Sequence, residues 1–207
     1  TSTWTRPLGT EEARALLAQF GDKARLLAGG TDLLILMKHR RAVPRHLINI
    51  KCIKGLSHIT RMPDGSLRIG ALATARELHE ALPGGSISDA AAKLGTDQIR
   101  NLGTIGGNLA NASPSAEFAP PLLTLDAALI CVGEGGERSM PIGEFFLAPG
   151  KSALRENEFL TEIRVPAAPE HAHSLYLKHS LRKMDVAMAS VALMTVIDGD
   201  VCREVKL

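Results

Sequence analysis

Two stretches of bare backbone carry the chemistry available to this sequence: Ala28-Gly29-Gly30-Thr31-Asp32 and Gly103-Thr104-Ile105-Gly106-Gly107-Asn108. Glycine tolerates positive φ and lets a ligand approach the main chain, while clustered N–H groups at a helix start attract phosphate oxygens. Together the two stretches could grip one diphosphate from two sides. Neither is a dinucleotide or nucleotide fingerprint by itself, because the Gly-x-Gly-x-x-Gly pattern is missing and no Gly-Lys-Ser/Thr follows. Paired glycines also mark ordinary tight turns, so the setting of each stretch decides its reading.

The first stretch falls inside a βαβ unit. Thr10 reads as the N-cap of a helix whose apolar face is Ala13, Leu16, Leu17 and Phe20, closed by Gly21. Residues 24–28 read as a strand, Leu33-Leu34-Ile35-Leu36-Met37 as a buried helix reaching about Arg41 before Pro44, and Leu47-Ile48-Asn49-Ile50 as the next strand. That order puts Gly29, Gly30 and Thr31 where a strand gives way to a helix N-terminus with unpaired N–H groups. A carboxylate beside a diphosphate would repel it, so Asp32 reads as a helix cap or a loop-holding residue.

The second stretch follows a strand near residues 67–69, the capping box Thr74-Ala75-Arg76-Glu77, and a helix carrying Leu78 and Leu82 that Pro83 and Gly84-Gly85 stop. A further helix from about Ser88 to Leu94 ends at Gly95, and Gln98-Ile99-Arg100-Asn101-Leu102 leads into the glycines. Ser113-Pro114 reads as an N-cap and N1 pair, which would place Ser115, Ala116 and Glu117 in the first turn of a helix to about Leu125. Beyond Asp126 the texture is strand-like at residues 128–132, 159–165, 175–178 and 189–197, with Asp198-Gly199 as a hairpin turn.

The 207 residues suffice for a hydrophobic core and two small subdomains. With 24 basic against 22 acidic residues and no basic block beyond Lys38-His39-Arg40-Arg41 at a helix end, nucleic-acid binding is not expected. No apolar run approaches the ~20 residues of a membrane span. Residues 1–4 lack the features of a signal peptide, so a cytoplasmic location is expected. Cys52, Cys131 and Cys202 have no disulfide or cluster spacing and read as buried thiols; His171 and His173 read as an exposed loop pair, and no metal site is expected. There is no Gly-x-Ser-x-Gly elbow and no convincing Ser-His-Asp or Cys-His arrangement in these motifs.

Taken in order, residues 26–34 and 98–111 closely resemble the FAD-binding (medium) subunit or domain of molybdenum hydroxylases, the xanthine dehydrogenase and carbon monoxide dehydrogenase family. Ser113-Pro114-Ser115-Ala116-Glu117, Phe145-Phe146, residues 158–166 and Arg182-Lys183-Met184-Asp185-Val186-Ala187 extend the resemblance over nearly the whole chain. It implies an α+β, PCMH-type FAD-binding fold of two α/β subdomains, residues 1–60 and 61–207, with non-covalent FAD between them. Relatives continue into a C-terminal α+β subdomain absent after Leu207, so the chain reads as truncated or as one part of a split subunit.

The resemblance also implies residue roles. The first loop, with Leu27, Ala28, Gly29, Gly30, Thr31, Asp32 and Leu33, and the second, with Gly103, Thr104, Ile105, Gly106, Gly107 and Asn108, would cradle the FAD diphosphate mainly through main-chain N–H groups. Glu117 would bind cofactor hydroxyls where most relatives carry aspartate. Leu94 and Leu160 would lie beside the flavin ring, and Lys178 and Asp185 would be cofactor-proximal. The implied function is electron transfer in a hetero-oligomer. A molybdopterin-binding large subunit oxidises a small substrate, a small subunit relays electrons through 2Fe–2S clusters, and FAD passes them to NAD, a quinone or a redox protein. Two alternatives are a self-contained flavin oxidase of the related FAD fold and a scaffold module that has lost FAD.

Overall fold

The computed structural model describes residues 2–207. Along the chain, β1 (Thr3–Thr5), α1 (Thr10–Phe20), β2 (Ala24–Leu27), α2 (Leu33–Lys38) and β3 (His46–Asn49) form a small α/β unit, its sheet parallel in the order β1-β3-β2. Ala13 and Leu17 of α1 pack on Ala24, Ile48 and Ile50, which leaves the opposite edge of β2 open toward the glycines that follow it. Gly9 holds the N-cap of α1 in place of the expected Thr10, and no side chain caps the helix.

Helix α2 departs from its expected burial and length. Leu34 and Ile35 are 50% and 54% exposed, and the helix ends at Lys38. Apolar side chains cover its whole circumference, and a six-residue helix beside a three-stranded sheet can bury only one side of itself.

The chain then runs through β4 (Ile59–Arg61), β5 (Leu67–Gly70), α3 (Ala75–Ala81), α4 (Ser86–Lys93), α5 (Asp97–Arg100), α6 (Ile105–Ala110) and α7 (Ala119–Thr124). Thr74 caps α3 in a complete capping box with Glu77, as the Thr-x-x-Glu spacing predicts. Helix α7 starts at Ala119, so Ser115, Ala116 and Glu117 lie in the turn before it instead of in a first helical turn. Pro120 and Pro121 explain this. Without N–H groups they suit the first turn of a helix, and deeper inside one they would each remove a hydrogen bond.

Six of the remaining strands are β6 (Ala128–Gly133), β7 (Gly136–Pro141), β8 (Phe146–Ala148), β9 (Lys151–Ser152), β10 (Phe159–Val165) and β11 (Ala172–His179), followed by β12 (Ala189–Asp198) and β13 (Val201–Lys206). A five-stranded antiparallel sheet, β4-β5-β10-β6-β7, carries α6 over β10, and α4 and α7 pack on the separate antiparallel sheet β11-β12-β13. The main core joins Ile69, Leu78, Leu109, Phe118, Leu129, Ile163 and Tyr176. Only Cys131 is a buried thiol, while Cys52 and Cys202 are exposed, one in a short 3-10 turn and one on the edge strand β13. Burial pushes the Cys131 thiol up to about 11 and keeps it unreactive. No helix among the described residues is long and apolar enough to cross a membrane.

Candidate functional site

The two glycine stretches meet. A Cβ on Gly29 would lie 2.0 Å from the Leu102 carbonyl oxygen and 2.8 Å from its carbon, so the first loop passes against the backbone that enters the second. Gly30 follows with φ +80°, a conformation that turns the chain from β2 toward α2. Among the described residues, the N–H groups of residues 29–32 donate to no protein acceptor. Four free donors in a row, opening onto a cleft, form an anion-binding concavity.

The second loop is built differently from its expected role. The N–H groups of Ile105 and Gly106 donate to the carbonyls of Ala73 and Ala71, both at 2.9 Å. Those of Gly107 and Asn108 donate to Thr104 Oγ1 at 3.1 Å and Thr104 O at 3.0 Å. These donors are committed to the protein, so residues 105–108 do not form a free main-chain cradle. A Cβ on Gly106 would meet Ala71 Cβ at 2.6 Å and Ala71 O at 2.7 Å, which makes Gly106 a packing glycine between α6 and the strand end below it. Thr104 caps α6, and the helix presents Thr104, Gly107, Asn108 and Asn111 to the cleft along one face. Asn108 Oδ1 accepts from Phe118 N at 3.3 Å, which leaves its amide NH2 without a protein partner among the described residues.

The cleft encloses about 780 Å³, within the range of cofactor sites. Ala28, Gly29, Gly30, Thr31, Asp32, Leu33, Leu94, Gly103, Thr104, Gly106, Gly107, Asn108, Glu117, Leu160 and Asp185 all line it. Leu27, Ile105 and Lys178 do not. Leu27 and Ile105 are buried in the cores beneath the loops. Lys178 is buried behind Glu117, where Nζ donates to Glu117 Oε1 at 2.9 Å and to Lys93 O at 3.1 Å.

Carboxylates dominate the walls: among the described residues Asp22, Asp32, Glu117, Glu156, Glu158 and Asp185 line the cleft with a single cation, Arg25. Lys178 offsets Glu117, and Arg138 binds Glu158 through two hydrogen bonds at 2.6 and 2.7 Å. Burial, and then the charge of Glu117, raise the Asp32 carboxyl above its ordinary range, while a hydrogen bond from Thr31 partly offsets them. Asp32 makes no capping bond to α2, contrary to the expected cap, and it engages the loop through Thr31. With acids on the walls, the donors open to an anion, Arg25 apart, are the free N–H groups of residues 29–32 and neutral side chains such as Thr31 and Asn108. Leu72, residues 156–159, Met184 and Val186 also line the cleft and lay outside the expected set. Among the described residues no cluster of His, Cys, Asp or Glu could hold a metal ion.

Known proteins resemble this chain over most of its length. The family profile described as FAD binding domain in molybdopterin dehydrogenase matches residues 1–168. The chain is 36% identical over 214 aligned positions to the xanthine dehydrogenase FAD-binding subunit of Escherichia coli O157:H7, an alignment that spans all of this chain and 72% of that protein. It is 35% identical to the carbon monoxide dehydrogenase medium chain of Hydrogenophaga pseudoflava, over 97% of this chain and 71% of that one. A structure of carbon monoxide dehydrogenase from the same organism, lacking the Mo-pyranopterin moiety of its cofactor, superposes with a TM-score of 0.94 at 34% identity, covering 99% of this chain and 72% of that one.

Proposed function

The chain belongs to the family of FAD-binding domains of molybdopterin dehydrogenases, the medium subunits of molybdenum hydroxylases, and on that premise we propose that it holds non-covalent FAD in the cleft between its two glycine loops. The observation that carries this reading is the row of free N–H groups at residues 29–32, held in place because Gly29 lies against Leu102. Residues 28–33, with Leu27 packed beneath them, hold the diphosphate. Thr104, Gly107 and Asn108 form the facing wall, and Glu117 accepts hydrogen bonds from cofactor hydroxyls. Leu94, Leu160 and Asp185 border the flavin. The two subdomains divide near residue 60, and the cofactor spans the division.

When bound, FAD would supply the redox chemistry, relaying electrons between the 2Fe–2S clusters of a small subunit, served by a molybdopterin-binding large subunit, and NAD, a quinone or a redox protein. The chain's own residues bind and orient the cofactor and leave one edge of it reachable. No side chain acts as nucleophile or general base.

A visible absorption spectrum of the purified chain, followed by turnover assays with and without iron–sulfur and molybdenum subunits, tests the proposal. Flavin bands with no turnover until the partners are added are expected. Unaided substrate oxidation would make it a self-contained oxidase, and a colourless protein indifferent to added FAD would make it a scaffold.

A further inference from the structure

We propose that the N-terminal α/β unit carries a docking face for an anionic lipid bilayer, at the end of its sheet opposite the first glycine loop. The proposal stands apart from the cofactor and its cleft. The chain's 24 basic and 22 acidic residues are unevenly spread. Residues 21–54 hold eight Lys and Arg against two acids, Asp22 and Asp32, and all eight cations are exposed.

Topology gathers five of these cations at one place. In a parallel βαβ unit the helix runs back against the strands, so the C-terminal end of α2 lies beside the starts of β2 and β3. Lys38, Arg40 and Arg41 occupy that end of α2 and the turn after it. Lys23 and Arg45 directly precede the two strands, and Arg45 N donates to Lys23 O at 2.9 Å. Asp32 and the glycines sit at the opposite end of α2. Elsewhere Arg14, Arg68, Arg76 and Arg100 pair with carboxylates. Among the described residues none of the five clustered cations has an ion-pair partner, so their mutual repulsion is left for an external anion to relieve.

Apolar side chains stand among them. No residue of α2 is buried, Leu34 and Ile35 are half-exposed, and Val43 in the following turn is 79% exposed. Trp4 joins the same end, because Thr3 N donates to Arg45 O at 2.8 Å. Trp4 lies in register with Leu47, and Leu47 with Arg25, so Trp4 projects from the sheet face opposite Ala24 and Ile48, which α1 covers. Leu27 shares the Trp4 face, and Leu27 and Leu34 of α2 both lie against Gly30, so Trp4 and α2 are on one side of the sheet. None of Trp4, Leu34, Ile35 and Val43 lines the cleft. A nucleic-acid backbone would engage the cations and leave these side chains in water. An anionic bilayer takes both, its headgroups the cations and its interfacial zone the indole and the aliphatic groups.

Trp4 is the chain's single tryptophan, so its emission reports directly on this face. The test mixes the purified chain with vesicles of equimolar phosphatidylcholine and phosphatidylglycerol, or of phosphatidylcholine alone, and follows Trp4 emission and co-sedimentation. A blue shift and pelleting with the anionic vesicles only, reversed as salt is raised, are expected. Lys38→Gln with Arg41→Gln is expected to weaken partition about 30-fold, each cation at an anionic surface being worth roughly five-fold. Arg61→Gln with Lys151→Gln removes the same charge from other elements and is expected to bind as the wild type does; thermal melts verify folding of both variants. A wild type that stays in solution with anionic vesicles, or pellets equally with neutral ones, overturns the proposal. So does a folded control pair that loses as much partition as the α2 pair. A chain that ignores vesicles but shifts its Trp4 emission with polyglutamate assigns the face to an acidic protein instead.

Discussion

Substituting Gly29 by alanine tests whether loop contact builds the site. The new Cβ would stand 2.0 Å from the Leu102 oxygen, whereas side-chain carbons essentially never come within 3.0 Å of such an atom, so the loops must part by about 1 Å. Neither side yields cheaply. The obstacle is backbone, and that backbone is fixed by the Gly103 N to Ile99 O and Ala75 N to Gly103 O bonds. Overpacking of this kind costs about 1–3 kcal/mol of stability. If the shift breaks two of the N–H contacts to the diphosphate, at about 1.5 kcal/mol each for bonds to a charged group, FAD affinity falls about 100-fold. Two companion variants separate folding from binding. In Gly106→Ala the Cβ meets Ala71 at 2.6 and 2.7 Å, so stability falls while the first loop is untouched. In Gly107→Ala the nearest atom is the tip of the Thr104 side chain at 2.9 Å, so the loss is limited to about 1 kcal/mol of capping. Urea denaturation and flavin titration of the three variants measure both quantities. A Gly29→Ala protein with wild-type FAD affinity would refute the reasoning.

Three further outcomes follow from the buried charges. Lys178→Met leaves the Glu117 carboxylate buried without its cation and should lower the unfolding free energy by about 3–5 kcal/mol, while Lys178→Met with Glu117→Gln should lose clearly less; strictly additive urea midpoints would rule out the coupling. The raised Asp32 carboxyl contributes stability below its ordinary value of 3.8 and loses that contribution as pH rises through its folded value. Asp32→Asn should therefore be more stable than wild type at pH 7, with the gap closing toward pH 4, and a gap independent of pH would contradict this. Burial pushes Glu162 up, but hydrogen bonds from Arg68 and Arg164 outweigh it and hold the carboxyl below 4.5. Its contribution, roughly 1–2 kcal/mol, is present above 4.5 and lost as pH falls through the folded value, so Glu162→Gln should flatten the acid limb of stability against pH; an unchanged limb would count against the assignment.

Much of the local structure was legible because it rests on short-range rules. The Thr74 and Glu77 spacing specifies a capping box that forms as written, and the strand, glycine, helix, strand order specifies the βαβ unit. Where the reading missed, a second short-range rule competed with the one applied. Ser113-Pro114 has the form of a helix start, but Pro120 and Pro121 can be accommodated only if the helix begins just before them, and they prevail. Uniformly apolar α2 suggests burial, yet the fold supplies too little surface to cover it.

The site was legible in its residues and less so in its division of labour. Both loops look alike as sequence, since glycine signals only that a Cβ would be in the way. What it would obstruct is tertiary information: the Leu102 backbone at Gly29, and Ala71 at Gly106. Among the described residues the first stretch keeps a run of four free N–H groups, whereas the second commits those of residues 105–108, two in joining α6 to residues 71–73 and two to its own cap at Thr104. The same limit explains the unread wall at residues 154–158. Its shape depends on Arg138 of β7, two strands from β10 in the sheet, reaching Glu158 20 positions on, and its place in the cleft depends on Phe159 sharing a core with Ala24 and Ile48, more than a hundred positions away; neither contact leaves a periodicity behind. A ligand site assembled from such long-range contacts is visible in a sequence only at the points where glycine marks a close approach.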